Sequence, residues 1–254
     1  MTKILVTGSS DGIGKETARQ LAAGGAHVIV HGRSEERAAG AAREVGAAGI
    51  WVCDFGSLAD VRRAAGQWPE GIAVLINNAG VYLQERQTTT DGFETTFQDN
   101  HLAPFLLTHL VLPGLAAGAR IINVSSQVHV GAEMAWDDLM GEKRFSGYDA
   151  YAQSKLANLL FTRALAQRQK KATVNALHPG VIGTRLLRGG FAGMSGSPLA
   201  RGAETPVYLA TAKEVEGVTG SYFVNRRETR PSSRALDGAA AQRLWDLSER
   251  LVNL

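Results

Sequence analysis

A tyrosine and a lysine stand four residues apart in the stretch YAQSK, residues 151–155. On a helix, residues four apart lie one turn from each other on the same face. A cation about 4 Å from a phenol, at an effective dielectric of about 20, favours ionisation by about 4 kcal/mol, or roughly three pKa units before desolvation offsets part of it. The pair would therefore bring Tyr151 close to proton exchange at neutral pH, although such a pair in an arbitrary helix is more often a packed ring and a solvated charge.

A second candidate for chemistry is the glycine-rich stretch TGSSDGIG, residues 7–14, which follows an apolar run. Glycines let a phosphate approach the backbone where a Cβ would otherwise intervene, and a helix N-terminus supplies unpaired N–H groups. Gly8, Gly12 and Gly14 therefore predict a diphosphate cradle. Their spacing departs from the commoner G-x-G-x-x-G, so the generic fingerprint is a weak match.

The same glycine stretch supports a rival hypothesis from another class of enzyme. Residues 8–12, GSSDG, fit the G-x-S-x-G elbow of α/β-hydrolases, with Ser10 as nucleophile and with Asp149 and His178 following in the hydrolase order. A hydrolase needs flanking strands and an oxyanion loop before the elbow, and seven residues precede Gly8. The serine hydrolase is therefore the remote alternative.

The end of the second apolar run, HGRSEE, bears on the choice of nucleotide. An acidic side chain at this place would accept the 2′-hydroxyl of NAD. Arg33 and Ser34 stand there instead, and a guanidinium with a hydroxyl suits a 2′-phosphate, although Glu35 and Glu36 follow at once. The sequence therefore favours NADP(H) over NAD(H).

Short apolar runs alternate with longer amphipathic stretches along the whole chain. KILVT, HVIVHG, GIWVCD, AVLINNAG, RIINVSS, TVNALHPG and GSYFVN read as strands, and amphipathic segments separate them. Parallel neighbours need helical crossovers, and runs that are apolar on both faces suit a sheet covered on both sides. We predict an α/β fold over residues 1–254: a single-domain, Rossmann-type doubly wound sheet of about seven parallel strands with helices on both faces.

Composition excludes several other classes of protein. Hydrophobic residues make up 44% and charged residues 20%, and 27 Lys and Arg against 24 Asp and Glu are scattered, which argues against a nucleic-acid face. Cys53 is the single cysteine, and the six histidines show no metal-ligand spacing, so we expect no metal. No apolar run reaches the roughly 20 residues of a membrane span, and no signal peptide is recognisable, so we expect a cytoplasmic protein.

With these motifs in order, the sequence resembles the short-chain dehydrogenase/reductase family over essentially its whole length. The matching segments are TGSSDGIG, NNAG at 77–80, INVSS at 122–126, YAQSK and HPG at 178–180, and the closest likeness is to the retinol-dehydrogenase-like branch. The resemblance implies Tyr151 as general acid/base, Lys155 as its electrostatic partner, Ser126 as hydrogen-bond donor to the substrate carbonyl and Asn100 as organiser of a proton-relay water.

The resemblance also implies the contacts of an NADP(H) cofactor. The glycine turn would line the diphosphate and adenosine, Asp54 would meet the adenine, the NNAG segment would contact the ribose, and the HPG segment with Thr184 would flank the nicotinamide. The expected cofactor residues are Gly8, Ser10, Asp11, Gly12, Ile13, Arg33, Ser34, Asp54, Asn78, Ala79, Gly80, Tyr151, Lys155, Pro179, Gly180, Val181 and Thr184.

Two residues compete with the expected catalytic side chains. Tyr148 has Ala152 four residues on and lacks a matching cation, so it is interpreted as packing or pocket wall. Ser125 and Ser126 point to opposite sides of a strand, and the family motif places the donor at the second.

The substrate is expected to be a small, apolar carbonyl or alcohol. The stretch 127–150, with Met134, Trp136, Met140 and Phe145, is either a surface loop with its own core or part of the substrate wall, and with the glycine-rich segment 185–198 it could form a lid. Relatives commonly form homodimers or homotetramers through their long helices. The predicted activity is reversible hydride transfer; the alternative is a cofactor-binding sensor or interaction protein without turnover.

Overall fold

The fold is organised by one β-sheet whose two faces are both covered by helices. The structure, a computed structural model, describes residues 1–191 and 193–254; Ala192, in the segment 185–198, lies outside the described residues. The strands are β1 (Lys3–Val6), β2 (His27–Gly32), β3 (Gly49–Val52), β4 (Ile72–Asn77), β5 (Ala119–Val124), β6 (Ala172–His178), β7 (Tyr222–Val224) and β8 (Arg227–Glu228). Their order in the sheet is β3-β2-β1-β4-β5-β6-β7-β8, with β1 to β7 parallel. The predicted α/β doubly wound fold is confirmed.

The strand count differs from the prediction of about seven by one antiparallel edge strand. β8 has two residues and pairs antiparallel with β7 through a hairpin whose corner residues, Asn225 and Arg226, have φ of 49° and 63°. Both central residues of a type I′ turn take positive φ, which fits these values. A strand of two exposed residues carries no hydrophobic pattern, so the sequence does not reveal it.

Helices connect consecutive strands and close the chain. Within the described residues the α-helices are α1 (Gly12–Ala23), α2 (Glu35–Val45), α3 (Leu58–Ala65), α4 (Thr95–Phe97), α5 (Ala103–Val111), α6 (Gly147–Arg168), α7 (Arg185–Gly190), α8 (Leu199–Thr211) and α9 (Gly238–Leu251). A π-helical turn, Gln98–Leu102, joins α4 to α5. None of these helices is both long enough and apolar enough to cross a membrane.

The core consists of two apolar layers, one on each face of the sheet. Alternate residues of β1 divide between them: Leu5 packs in one layer, and Ile4 and Val6 pack in the other, all three fully buried. Burial on both faces of a strand is the condition that produced the continuous apolar runs of the sequence. β2 and β3 follow β1 on one side of the sheet, whereas β4 and the later strands extend the sheet on the other side of β1. The strand order therefore reverses between β1 and β4, and the crevice for a ligand is expected at the carboxyl ends of these two strands.

Candidate active site

A cavity of about 850 Å³ opens at the carboxyl ends of the parallel strands. The glycine turn and Arg33 line one end, and Tyr151 and Ser126 line the other. Sixteen predicted residues line it: Gly8, Ser10, Asp11, Gly12, Ile13, Arg33, Asn78, Ala79, Gly80, Ser126, Tyr151, Lys155, Pro179, Gly180, Val181 and Thr184. The structure therefore brings together side chains that are distant in the sequence.

Three predicted site residues are absent from the cavity lining that the described residues form. The Ser34 hydroxyl instead caps α2 by accepting from the Arg37 N–H at 3.4 Å. The exposed Asp54 accepts a hydrogen bond from the Gly56 N–H at 3.1 Å, and its neighbour Phe55 lines the cavity instead. Asn100 lies fully buried behind the wall.

The glycine turn is packed tightly on one side and open on the other. Gly8 and Gly12 have φ of 62° and 56°, which favours glycine at both positions. A Cβ on Gly14 would lie 2.3 Å from Nδ2 of Asn78 and 2.5 Å from the carbonyl oxygen of Gly8, whereas one on Gly12 would meet only Cγ2 of Thr184, at 3.7 Å. The backbone therefore presents an open cradle at the start of α1, and this geometry fits a dinucleotide diphosphate.

Replacement of Gly14 by alanine is expected to weaken binding of a dinucleotide at least tenfold, because the new methyl group would collide with the backbone that forms the cradle. Fluorescence titration with NADPH measures the effect. Gly40→Ala in α2 is the matched control, since nothing lies within 4 Å of its added Cβ. The control should bind normally and gain up to about 1 kcal/mol of stability from helix propensity. If Gly14→Ala and Gly40→Ala bound NADPH equally tightly, the glycine turn would not be the diphosphate site.

His31, which the sequence analysis does not assign, supports the glycine turn from β2. The Gly8 N–H donates to Nδ1 of His31 at 2.7 Å, so Nε2 carries the proton and donates to the Cys53 carbonyl at 2.9 Å. Burial lowers the pKa of His31 to about 4, which keeps the ring neutral and this arrangement intact at neutral pH. A histidine in an apolar strand pattern carries no sequence signal for this role.

Two arginines lie at the end of the cavity near β2. Arg33 and Arg37 both line it, both are exposed, and neither forms an ion pair with any of the described residues. Arg37 adds a second guanidinium that the sequence analysis does not assign. Arg37 follows Arg33 by four residues, and this spacing was the feature of the sequence that could have indicated a second guanidinium near the first.

Asn100 is held rigidly in the π-helical turn. Its Oδ1 accepts from the Val81 N–H at 2.7 Å, and its Nδ2 donates to the Val81 carbonyl at 3.0 Å and to Oγ of Ser154 at 2.9 Å. A Cβ on Gly80 would lie 3.1 Å from Oδ1 of Asn100 and 3.3 Å from Nζ of Lys155. Glycine at position 80 therefore lets the amide and the ammonium approach the cavity wall together.

Tyr151 and Lys155 lie side by side on α6, both buried. Nζ of Lys155 is 5.4 Å from the centre of the Tyr151 ring and donates to the Val124 carbonyl at 3.2 Å. Burial lowers the pKa of Lys155 to about 8. Burial also raises the pKa of Tyr151 above its usual value, and interaction with the Ser126 side chain offsets part of this rise. The structure thus places Lys155 beside Tyr151 as expected, but burial raises the tyrosine pKa, so the expected lowering does not appear.

The structure separates the two competing pairs of residues. Oγ of Ser125 is buried and donates to the Lys155 carbonyl at 2.7 Å, whereas Ser126 is half-buried at the cavity surface. Tyr148 is 46% exposed, against 7% for Tyr151. Ser126 and Tyr151 therefore have the position for chemistry, and Tyr148 forms an outer wall.

Aromatic rings surround the cavity near Tyr151. Tyr82 lies 5.6 Å from Tyr151 and 5.3 Å from Phe191, and Phe191 lies 6.1 Å from Tyr151, all between ring centres. Neither Tyr82 nor Phe191 is among the site residues predicted from the sequence. Phe191 belongs to the segment 185–198, which borders the cavity also through Leu187 and Met194.

The stretch 127–150 contributes less to the wall. Among the described residues only Gln127, Val128 and Tyr148 of this stretch line the cavity. Its apolar side chains Met134, Trp136 and Met140 instead pack against the main core.

The hydrolase hypothesis requires a serine, a histidine and an acid in contact, and the structure does not bring them together. Nδ1 of His178 accepts from the Gln127 N–H at 3.2 Å, and Asp149 is exposed on α6. Within the described residues no hydrogen bond joins Ser10 to either of them.

Comparisons with known proteins identify the family of the chain. A family model described as short chain dehydrogenase matches residues 2–193. Retinol dehydrogenase 12 of Mus musculus is 38% identical over 272 residues, covering 99% of this chain and 86% of that protein. Retinol dehydrogenase 13 of Homo sapiens is 39% identical over 281 residues, covering 99% of this chain and 84% of that protein.

Solved structures show the same fold. An uncharacterized protein from Mycobacterium paratuberculosis superposes with a TM-score of 0.86 at 34% identity, covering 100% of this chain and 94% of that one. A short chain dehydrogenase from Shigella flexneri, solved in complex with NADP, superposes with a TM-score of 0.72 at 25% identity, covering 89% of this chain and 97% of that one.

Proposed function

Because the chain belongs to the short-chain dehydrogenase/reductase family, whose members are oxidoreductases that act on CH–OH groups with NAD(P), we propose that it interconverts a carbonyl and an alcohol with NADP(H), using Tyr151 as general acid/base. One observation carries the proposal. Tyr151, Lys155 and Ser126 converge at one end of a cavity whose other end is the glycine turn.

The side chains at the Tyr151 end have complementary tasks. The hydroxyl groups of Ser126 and Tyr151 hold the substrate oxygen by hydrogen bonds. Since burial raises the pKa of Tyr151, its hydroxyl stays protonated in the free protein and can donate a proton to the oxygen of a carbonyl undergoing reduction. Lys155 stabilises the negative charge that this transfer leaves on Tyr151, and Asn100 holds the Val81 backbone beside it. When bound, the nicotinamide would supply or accept the hydride.

The aromatic side chains suit an apolar substrate. Tyr82 and Phe191 pack beside the Tyr151 ring, Tyr148 packs against Phe191, and the two relatives described above are named retinol dehydrogenases. We propose an apolar aldehyde or ketone, or the matching alcohol, as the substrate class. A panel of aldehydes of increasing chain length tests this proposal: kcat/KM should rise with apolar length, as buried apolar area grows.

Preference for NADP(H) is supported by the two arginines beside the cavity. A guanidinium and a phosphate form charge-assisted hydrogen bonds, worth about 1.5–3 kcal/mol when formed. Arg33 lines the cavity where the second strand ends, and the Shigella flexneri relative was solved with NADP. These guanidiniums would meet the 2′-phosphate that NADPH carries and NADH lacks.

Titration of the purified protein with NADPH and NADH tests the proposal, with energy transfer from tryptophan to the reduced nicotinamide as signal. NADPH is expected to bind more tightly, and Arg33→Ala should raise its Kd about tenfold, equivalent to about 1.4 kcal/mol, with NADH changing less than twofold. Arg43→Ala, an exposed arginine of α2 outside the cavity lining, is the control. Equal weakening of both dinucleotides would contradict the 2′-phosphate contact, and tight binding without turnover of any carbonyl would favour a sensor.

A further inference from the structure

Asp99 is a buried acid that lines the cavity, and the proposed reaction leaves it without a task. It precedes Asn100 in the π-helical turn, is 8% exposed, and belongs to the cavity lining. Its Oδ1 has no hydrogen-bond partner among the described residues. Buried carboxyl groups are normally paired or hydrogen-bonded, because an isolated buried charge is costly.

The side chains on either side of Asp99 form hydrogen bonds within the protein, whereas Oδ1 of Asp99 does not. Nε2 of Gln98 donates to the Phe55 carbonyl at 3.0 Å and to Oδ2 of Asp91 at 2.9 Å. Asn100 holds Val81, as described above. π-helical turns of this kind frequently occur at functional sites. The turn therefore fixes Asp99 at the cavity without using its carboxyl group.

A contact of the adjacent residue places Asp99 near the adenosine end: Gln98 donates to the carbonyl of Phe55, which follows β3 and lines the cavity with Asp99. Burial raises its pKa to about 7, with smaller contributions from Asp54 and Glu94, which raise the pKa, and from Arg33, which lowers it. The Glu94 carboxylate is occupied at the start of α4, where it accepts from the N–H groups of Thr96 and Phe97. Arg33 and Asp54 flank the ends of β2 and β3, the part of the crevice where adenosine is expected.

We propose that Asp99 contacts the adenosine part of the dinucleotide as a neutral carboxylic acid that donates a hydrogen bond, so that cofactor binding requires its protonated form. The inference rests on the proposed function, because it presumes that the cavity holds NADP(H). A bound nucleotide would remove the remaining water from Asp99, and the ionised form would then face a phosphate-bearing ligand without solvation. The protonated form avoids this repulsion and supplies a donor.

Proton linkage gives the inference a distinct signature. If only the protonated form binds, binding takes up one proton wherever Asp99 is ionised in the free protein, and affinity falls as pH rises above about 7. The decline approaches tenfold per pH unit. His31 does not contribute over this range, since its pKa of about 4 keeps it neutral.

The experiment is a calorimetric titration with 2′,5′-ADP, a fragment that carries the adenosine end alone, repeated from pH 6 to pH 9. The native protein should lose at least tenfold in affinity between pH 7 and pH 9, with proton uptake revealed by buffers of different ionisation enthalpy. Asp99→Asn, which is isosteric and permanently neutral, should lose most of this decline and keep only the dependence that Lys155, with a pKa of about 8, and the ligand phosphates contribute in every variant. Asp137→Asn, an exposed acid outside the cavity lining, should keep the native profile. Ionisation of the ligand phosphates affects all three proteins equally.

The outcomes separate this inference from the proposed function. Native protein that binds NADPH, with parallel pH profiles for native and Asp99→Asn protein, would overturn the role of Asp99 and leave the oxidoreductase proposal standing. Native protein that binds neither NADPH nor NADH at any pH would overturn both. A decline in affinity between pH 7 and pH 9 that is at least tenfold steeper in the native and Asp137→Asn proteins than in Asp99→Asn would support the contact.

Discussion

Tyr151→Phe is expected to lower kcat for carbonyl reduction by about 10²–10⁴-fold, the range typical of losing a general acid. The substitution removes one hydroxyl group and leaves the ring, which packs among Tyr82 and Phe191. The Tyr151 side chain is 7% exposed, and the substitution keeps its buried ring. Steady-state kinetics with NADPH and an apolar aldehyde measures the effect.

A matched control comes from the neighbouring turn of α6. Tyr148→Phe removes a hydroxyl from an exposed ring that also lines the cavity, and kcat should change less than twofold. The midpoint of thermal unfolding should stay within a few degrees for both variants, since neither changes the packed volume. Turnover by Tyr151→Phe at the native rate would remove Tyr151 from the mechanism and return the choice of acid to the other groups of the cavity.

The fold was predictable because it is encoded locally. Runs such as AVLI are apolar on both faces, and this pattern alone indicates a parallel sheet covered by helices. The glycine turn and the Tyr151–Lys155 pair are also local, since each lies within eight consecutive residues. What the sequence pattern missed was β8, whose two exposed residues pair only because the turn at Asn225 brings them back to β7.

The rest of the site depends on contacts between distant segments. His31 supports Gly8 across 23 positions, and Phe191 meets Tyr82 only after the sheet has formed. Asp99 gives no sequence signal, because an acid inside an amphipathic helix is usually solvated. Its burial follows from how the π-helical turn is packed, and periodicity does not report packing.

The direction of the Tyr151 pKa shift also depends on contacts between distant segments. Spacing correctly places Lys155 beside Tyr151, and from this pair alone the tyrosine pKa should fall. The structure adds burial of both groups, which disfavours the phenolate and the ammonium alike. A pair estimate from sequence omits this contribution, because desolvation depends on every segment that covers the site.

Burial of the Lys155 ammonium reduces the stability of the folded protein. The group has a pKa of about 8 in the folded protein, against 10.5 as the ordinary value. Each unit of difference corresponds to about 1.36 kcal/mol, so holding the charged form in the folded protein at pH 7 costs up to about 3 kcal/mol. The hydrogen bond from Lys155 to the Val124 carbonyl offsets about 1 kcal/mol of this cost.

Lys155→Met is therefore expected to raise the free energy of unfolding by about 1–3 kcal/mol at pH 7 while lowering kcat by at least about 10²-fold. Methionine has a similar length and no charge to desolvate. Urea unfolding at several pH values measures the stability, and the kinetic assay used for Tyr151→Phe measures the activity. Lys170→Met, at an exposed position, is the control and should change stability by less than about 0.5 kcal/mol.

The pH dependence makes this prediction specific to the buried charge. Between pH 8 and pH 10.5 the unfolded chain still holds a proton on Lys155 that the folded protein has released, so the stability of the native protein rises with pH over this interval. The methionine variant lacks this rise, and its advantage over the native protein should be largest below pH 8 and shrink towards pH 10.5. A variant that is less stable than the native protein at pH 7 would show that Lys155 stabilises the fold, and its presence would then need no catalytic explanation.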